Sequence, residues 1–265
     1  MSRNAVSPRG LAGTAAVVAI AAGLAVAGCG GSSSSGAAAG GNAASKSPAA
    51  SHSTGSSGST SATTTTATVP FPVGVGDTWR YKTTDGRTVN RIIAVTPGSA
   101  GQQVTMRSAI TNLGSTTHDT AYYVVHSDGS ISLPFSQFDT SSSGASVKLI
   151  SGDIFWPPAD QLSSGKAYHD ALKIAFSDNG MTQNVTAHVT VRGAGTQSVT
   201  VPAGTYNADV VNMTMAETIE GISVSSVVRT WLAPGVGPVK SEVILHEGGT
   251  IHVAAENQLV SFKAG

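Results

Sequence analysis

The sequence predicts an all-β domain, folded as a single curved antiparallel sheet or a half-open β-barrel or roll and preceded by a disordered tether. Beyond Pro70, segments rich in Val, Ile, Thr and aromatic residues alternate with turn residues. No segment there has a long 3.6-residue apolar period, so long helices are not expected. Every Trp, Tyr and Phe lies between Phe71 and Phe262. The aromatic side chains that build a core therefore belong to residues 70–265 alone.

Residues 1–28 have the pattern of a secretory signal peptide. Arg3 and Arg9 form a basic start without acidic residues, and residues 11–28 carry no charge. The alternative is a retained membrane helix, because this uncharged run approaches spanning length. Its richness in Ala and Gly makes it weakly hydrophobic for a permanent span, which favours a cleaved leader.

The leader ends at Cys29, the only cysteine of the chain. The sequence Val26-Ala27-Gly28-Cys29 resembles the lipobox of bacterial lipoproteins. The resemblance implies that the leader is cut before Cys29 and that its thiol carries diacylglycerol, with palmitate among the expected acyl chains. We therefore expect an exported protein, lipid-anchored to the extracytoplasmic face of the bacterial plasma membrane. A chance cysteine after a plain signal peptide is the alternative, and the choice between inner and outer membrane stays open.

The segment that follows, residues 29–69, is predicted to be a flexible tether. After Cys29 it consists of Ser, Thr, Gly and Ala, except for Asn42, Lys46, Pro48, His52 and Val69. Such a composition buries too little apolar surface to offset the entropy of ordering, so we expect disorder. A coil of this length spans roughly 35 Å.

The charge balance argues against nucleic-acid binding. The chain has 15 basic and 15 acidic residues. Removing the two arginines of the leader leaves 13 basic residues, so the exported part carries about two net negative charges. It offers no basic field for a phosphate backbone.

Runs of β-forming residues between turn residues predict a series of strands in residues 70–265. The predicted strands are 78–83, 88–95, 103–112, 120–126, 172–177, 182–192, 197–201, 208–218, 223–232, 239–246 and 250–262. Asp85-Gly86, Asp128-Gly129 and Asn179-Gly180 are expected to supply positive-φ turn positions. Residues 137–166 are predicted to be a long irregular connection, with at most a short helical turn at 158–163.

Three segments resemble a broad group of exported bacterial β-domains: VGDTWRYK at 75–82, VTVPAGTYNA at 199–208 and WLAPGVGPVKSE at 231–242. The resemblance implies a curved antiparallel sheet similar to the half-barrels of lipoprotein carriers. Physically, Pro fixes φ in turns and Gly permits unusual φ values, whereas Trp anchors a sheet face. We interpret the motif residues as turn and packing positions, with ligand contact as the alternative. They are Trp79, Pro202, Gly204, Trp231, Pro234, Gly235 and Gly237.

The sequence offers little for catalysis or metal binding. Glu242, His246, Glu247 and His252 could in principle supply zinc ligands, but a solvated polar hairpin is the simpler interpretation. Cys29 is assigned to lipid, and no nucleophile motif is present. We therefore predict no enzyme activity, no cofactor and no metal.

Binding is the remaining class of function. A curved sheet with an apolar inner face can hold a lipid-like ligand if its own side chains do not fill the space. The alternative is a structural or protein-interaction lipoprotein with a filled core, whose partner is another envelope protein. The candidate lip of a ligand groove consists of apolar residues in or beside the long connection: Phe135, Phe138, Ile154, Phe155 and Trp156.

Overall fold

A computed structural model of the chain describes residues 72–133, 140–142, 145–178, 181–219, 222–247 and 250–265. The predicted leader, the lipidation site Cys29 and the tether lie outside the described residues. So do two of the candidate groove residues, Phe135 and Phe138.

The described chain is almost entirely β-structure. The single short helix, α1, spans Ala159–Ser163 and confirms the expected helical turn. The strands in chain order are β1 (Thr78–Thr83), β2 (Gly86–Gly98), β3 (Gly101–Asn112), β4 (Ser115–Val125), β5 (Ile131–Leu133), β6 (Thr140–Ser142), β7 (Ala145–Ser151), β8 (Ile154–Trp156), β9 (Ala167–Asp178), β10 (Met181–Val201), β11 (Gly204–Ile219), β12 (Ile222–Ala233), β13 (Gly237–Glu247) and β14 (Thr250–Lys263).

These strands form one antiparallel sheet, which confirms the predicted fold class. The order is β6-β7-β9-β10-β11-β12-β13-β14-β1-β2-β3-β4-β5-β8. The edge strands β6 and β8 are not paired with each other, so the sheet is open. It is nevertheless strongly curved, because β8 also lies against β9 and β10, and β10 reaches β13 and β14.

The prediction of one long irregular connection at 137–166 was wrong. This region contains β6, β7 and β8, and β7 pairs with β9 over residues 145–151. Two predicted strands, 182–192 and 197–201, are one strand, β10, whose pairing with β11 shifts register between Gly193 and Thr196. That irregularity is a bulge, which bends a strand without ending it.

Burial alternates along the strands, as expected when one face of a sheet covers a core. We call this the inner face. In β1, Trp79 and Tyr81 are buried, and Thr78 and Arg80 on the other face are not. One hydrophobic cluster extends from Trp79 on β1 through Met213 on β11 to Leu259 on β14. The sheet therefore wraps around a single core.

Two glycines allow backbone segments to approach the sheet closely. A Cβ atom on Gly193 of β10 would lie 1.8 Å from the carbonyl oxygen of Leu162 in α1. A Cβ on Gly152, between β7 and β8, would lie 2.7 Å from the carbonyl oxygen of Ala171 on β9. Only glycine permits such contacts. These two close contacts allow α1 and β8 to pack against the core, which includes Leu162, Ile154 and Trp156.

The predicted turn glycines divide into two cases. Gly129 has the expected positive φ of 83°. Gly86 does not need one, because it lies within β2. Its Cβ would lie 1.9 Å from the carbonyl oxygen of Thr111 on β3, so close strand approach is the reason for glycine there. Asn179 and Gly180 lie outside the described residues.

Candidate functional site

The three sequence motifs meet at one end of the sheet, which we call the motif end. It comprises the turn 202–203 between β10 and β11, the turn 234–236 between β12 and β13, and the chain's entry and exit at Pro72 and Gly265. The indole nitrogen of Trp79 donates to the carbonyl oxygen of Val236 at 2.7 Å. The Tyr81 hydroxyl donates to the carbonyl oxygen of Pro238 at 2.8 Å. The first motif is thereby joined to the third.

The second motif closes over the same end. In its two-residue turn, Pro202 and Ala203 connect Val201 to Gly204, whose φ is 137°. The amide of Ala203 donates to the carbonyl oxygen of Leu259 on β14 at 2.9 Å. The long β10–β11 hairpin therefore bends across the core and seals the motif end.

The third motif combines a turn and a covered tryptophan. After Pro234, Gly235 and Gly237 have positive φ values of 72° and 89°. The Trp231 indole nitrogen donates to the side-chain oxygen of Gln197 at 3.2 Å. The Lys240 ammonium lies 5.0 Å from the centre of the Trp231 ring. These residues occupy turn and packing positions in the structure.

Asp77 ties the two ends of the domain together. Its carboxylate accepts the amide of Gly74 at 2.7 Å and the amide of Gly265 at 2.9 Å. The side chain is buried, and Gly76, with a φ of 98°, lies against Gly265. The entry and exit of the domain therefore share one buried carboxylate.

The described groove candidates are not arranged as one exposed lip. Ile154 and Trp156 on β8 are buried in the core cluster. Phe155, on the opposite face of the same strand, is half-buried, and its ring centre lies 6.2 Å from that of Tyr168 on β9. Strand alternation separates Phe155 from its two neighbours.

The inner face also carries a polar band that the sequence analysis missed. Its members are side chains whose oxygen is buried and has no hydrogen-bond partner in the described part of the chain. They are Thr83, Thr88, Asn90, Ser108 and Thr230.

Strand pairing arranges members of the polar band in two rows. Asn90 on β2 is directly opposite Ser108 on β3. Thr83 is opposite Asn257, Asn257 is opposite Ser241, and Ser241 is opposite Thr230. Within this second row, the Asn257 amide donates to the Ser241 hydroxyl at 3.1 Å. The polar band therefore extends from β1 in both directions across the sheet, to β3 on one side and to β12 on the other. The signal in the sequence was small polar residues at alternate strand positions.

Further along the inner face, the polar band gives way to apolar side chains and one carboxyl group. Val211, Met213, Met215 and Glu217 succeed each other on the inner face of β11, and all are buried. Burial raises the pKa of Glu217 to about 7. The alternate spacing of these four residues in the predicted strand 208–218 was the available signal for a buried carboxyl.

The outer face carries a cluster of charged side chains that are less buried than Glu217. Lys240 lies 2.8 Å from Glu242 and 2.9 Å from Glu256. Partial burial disfavours the charge on Lys240, but the two carboxylates outweigh it and raise its pKa. Hydrogen bonds from Gln258 and Lys240 lower the pKa of Glu256. Such half-exposed pairs contribute little to stability.

The residues weighed as zinc ligands are spread over both faces of the C-terminal hairpin. His246 is opposite Ile251 and His252 is opposite Leu245, so the two histidines point to opposite faces. Glu242 is paired with Lys240. Among the described residues, no three His, Cys, Asp or Glu side chains are grouped as a metal site.

In the same part of the chain, no helix is long and apolar enough to cross a membrane.

The geometry defines a class of protein: an open, curved antiparallel sheet that is sealed at one end and has a mixed polar and apolar inner face. The sequence matches the DUF3108-like family over residues 76–249, and the chain belongs to this family. None of the curated proteins compared with the chain matches it.

Two solved structures resemble the fold. A candidate lipoprotein from Parabacteroides distasonis is 19% identical, with a TM-score of 0.52 over 74% of this chain and 99% of that chain. A candidate exported protein with a YmcC-like fold, from Bacteroides fragilis, is 18% identical, with a TM-score of 0.50 over 73% of this chain and 98% of that chain. The expected resemblance is thus confirmed at the level of the fold.

Proposed function

We propose that this protein is a lipid-anchored lipoprotein of the bacterial envelope whose β-domain binds a lipid-like molecule on its inner face, without catalysing a reaction. The observation that carries the proposal is the inner face itself. In the part of the chain that the structure describes, buried oxygen atoms without hydrogen-bond partners lie there beside a continuous apolar strip. A molecule with a polar head and a hydrocarbon body matches both parts.

The anchoring part of the proposal rests on the N-terminal sequence. The signal-peptide pattern of residues 1–28 and the lipobox ending at Cys29 support export and lipid attachment. The two structural neighbours are themselves a candidate lipoprotein and a candidate exported protein. Two acyl chains are needed for stable membrane attachment, and a diacylglycerol on Cys29 would supply them. The tether would then hold the domain away from the membrane surface.

The binding part rests on the energetics of buried polar groups. A buried hydroxyl or amide oxygen without a hydrogen bond destabilises a protein by about 1–3 kcal/mol. The five members of the polar band are concentrated on β1, β2, β3 and β12. Such groups are retained in native proteins when something satisfies them or when they serve a function. Polar groups of a bound amphiphile would satisfy them.

Anchoring is tested by Cys29→Ser in the native bacterium. We expect the variant to appear in the soluble exported fraction or to be mislocalised, with the unfolding midpoint of the domain unchanged. Continued membrane attachment of an uncleaved variant would show that the apolar run is a plain anchor.

Binding is tested with the mature chain, residues 29–265, carrying Cys29→Ser so that its own acyl chains do not compete. We expect saturable fluorescence enhancement of the neutral dye N-phenyl-1-naphthylamine, and a lipid-like species in mass spectra of organic extracts of protein purified from the native envelope. Clean extracts together with non-saturable dye fluorescence would refute the proposal.

A second candidate is a structural or protein-interaction lipoprotein, and the dense aromatic filling of the core favours it. Trp79, Tyr81, Tyr123 and Trp156 all pack into the same cluster. Crosslinking in cells distinguishes the two functions. Reproducible capture of one protein partner, combined with no dye binding, would support the interaction function over the ligand-binding function.

A further inference from the structure

Glu217 is a buried acidic residue on the inner face, close to the end of β11. Only 6% of its surface is exposed. Its Oε2 atom is buried and has no hydrogen-bond partner among the described residues. This end of β11 lies opposite the motif end, so the carboxyl is remote from the three motifs that seal the sheet.

The residues around Glu217 are apolar. Ala187 on β10 is directly opposite it, and Leu172 on β9 is opposite Ala187. Met215, the preceding inner-face residue of β11, is also buried, as are Ala187 and Leu172. An ionised carboxylate without a partner is strongly disfavoured in such surroundings.

Charged groups on the neighbouring strands do not compensate for this burial. On β10 the adjacent inner-face positions are Val185 and Val189, and on β12 the residue directly opposite Glu217 is Val224. The acidic and basic residues at inner-face positions of the other strands on this side are Asp170 and Asp178 on β9, Glu247 on β13 and His252 on β14, of which Asp170 and His252 are exposed. Burial alone accounts for the raised pKa of Glu217.

We propose that Glu217 is the head-group recognition residue of the inner face, and that it selects amphiphiles with a cationic amine head group. This inference rests on the proposed ligand-binding function and deepens it. An ammonium group would pair with the carboxylate by charge-assisted hydrogen bonds, which are the strong ones. The hydrocarbon chain would lie along Met215 and Met213.

The pairing predicts a proton linkage. Below pH 7 the carboxyl is largely protonated, so binding of an ammonium group requires release of that proton. Affinity for an alkylammonium ion should therefore rise between pH 6 and pH 8. An alkyl carboxylate should show the opposite trend, because two anions would meet in an apolar environment.

The test uses the mature chain with Cys29→Ser and three probes that share one hydrocarbon chain: dodecylamine, dodecanol and dodecanoate. Each probe competes with N-phenyl-1-naphthylamine at pH 8. We expect dodecylamine to compete about tenfold better than dodecanol, a difference in binding free energy of about 1.4 kcal/mol. Dodecanoate should compete least. Glu217→Gln keeps the shape of the side chain and removes its charge, and should reduce the preference for the amine to within about twofold.

Asp170→Asn is the matched control, because it removes an exposed acid from an inner-face position of β9, two strands away from Glu217. This variant should retain the full preference and its pH dependence. Equal competition by the three probes in the wild-type protein would overturn the inference and leave ligand binding standing. A preference for the amine that survives Glu217→Gln would overturn it too. Absence of saturable dye binding in the wild-type protein would overturn both the inference and the proposed function.

Discussion

The indole nitrogen of Trp79 donates a hydrogen bond to the carbonyl oxygen of Val236 across 157 residues of sequence. Two residues along the same strand, Tyr81 repeats the arrangement with Pro238. Both donors lie on β1, and both acceptors lie where the chain turns from β12 into β13. Paired side-chain to backbone bonds thus fix the position of a turn that strand pairing alone would leave free.

Removing one of these bonds should destabilise the domain measurably. Tyr81→Phe keeps the buried ring but leaves the Pro238 carbonyl without its donor. We expect the free energy of unfolding to fall by about 1–2 kcal/mol, measured by urea denaturation. Tyr206→Phe is the control, because the Tyr206 hydroxyl makes only a long hydrogen bond of 3.5 Å, to the carbonyl oxygen of Ala203. Equal effects of the two variants would contradict the assigned role of Tyr81.

The buried carboxylate of Asp77 should couple the two ends of the domain. In Asp77→Asn one oxygen becomes an amide group, which cannot accept a hydrogen bond from Gly74 or Gly265. A loss of about 1–3 kcal/mol is expected, since charged acceptors make stronger bonds than neutral ones. Hydrogen exchange should accelerate in peptides from both ends of the domain. The exposed Asp85, changed to Asn, provides the control, and acceleration at one end only would show that Asp77 does not link them.

Gly193 should be intolerant of even one methyl group. Gly193→Ala would place a Cβ against the carbonyl oxygen of Leu162 and displace α1 from β10. We expect a loss of about 3 kcal/mol, at the upper end for overpacking, together with exposure of Leu162. The control is Gly195→Asn in the same bulge, where φ is 83° and no atom lies near the Cβ position. If both variants unfold at the same urea concentration, the close contact is not the reason for glycine.

Glu217 should make the stability of the domain depend on pH. Its pKa is raised to about 7 from an ordinary value of 4.5. The native state therefore holds a proton that the unfolded state has already released between these values, and stability falls as pH rises through this window. The wild-type protein should lose about 2–3 kcal/mol relative to Glu217→Gln between pH 4.5 and pH 8. Urea unfolding at the two pH values measures this, and a pH-independent difference between the proteins would contradict the assigned burial.

The strands and the turns were largely predictable, because they follow from local patterns. The bounds of β1 agree with the prediction, and the two glycines after Pro234 have the positive φ values that the turn requires. The strands β5 to β8 were missed because β5, β6 and β8 have only three residues each and β7 follows a segment rich in Ser. Pairing with distant strands, and not local propensity, forms them.

The candidate site was less predictable than the fold. Alternation shows that Glu217 shares a face with Met213 and Met215, but only the curvature of the sheet shows that this face is buried. That the buried hydroxyls of Thr83 and Ser108 have no hydrogen-bond partner among the described residues depends on which side chains the facing strands place near them. The aromatic residues around 154–156 were correctly seen as large apolar groups, but their alternation on β8 buries Ile154 and Trp156 and leaves Phe155 half-buried on the other face.

Methyl NMR of the mature chain labelled at its methionines tests the central claim most directly, because Met213 and Met215 lie on the proposed binding face. Titration with dodecylamine should shift both resonances saturably. The dissociation constant obtained from these shifts should equal the one obtained from displacement of the dye. In Glu217→Gln the same resonances should shift only at higher ligand concentration. Unchanged Met213 and Met215 resonances at a concentration that displaces the dye would contradict binding on the inner face.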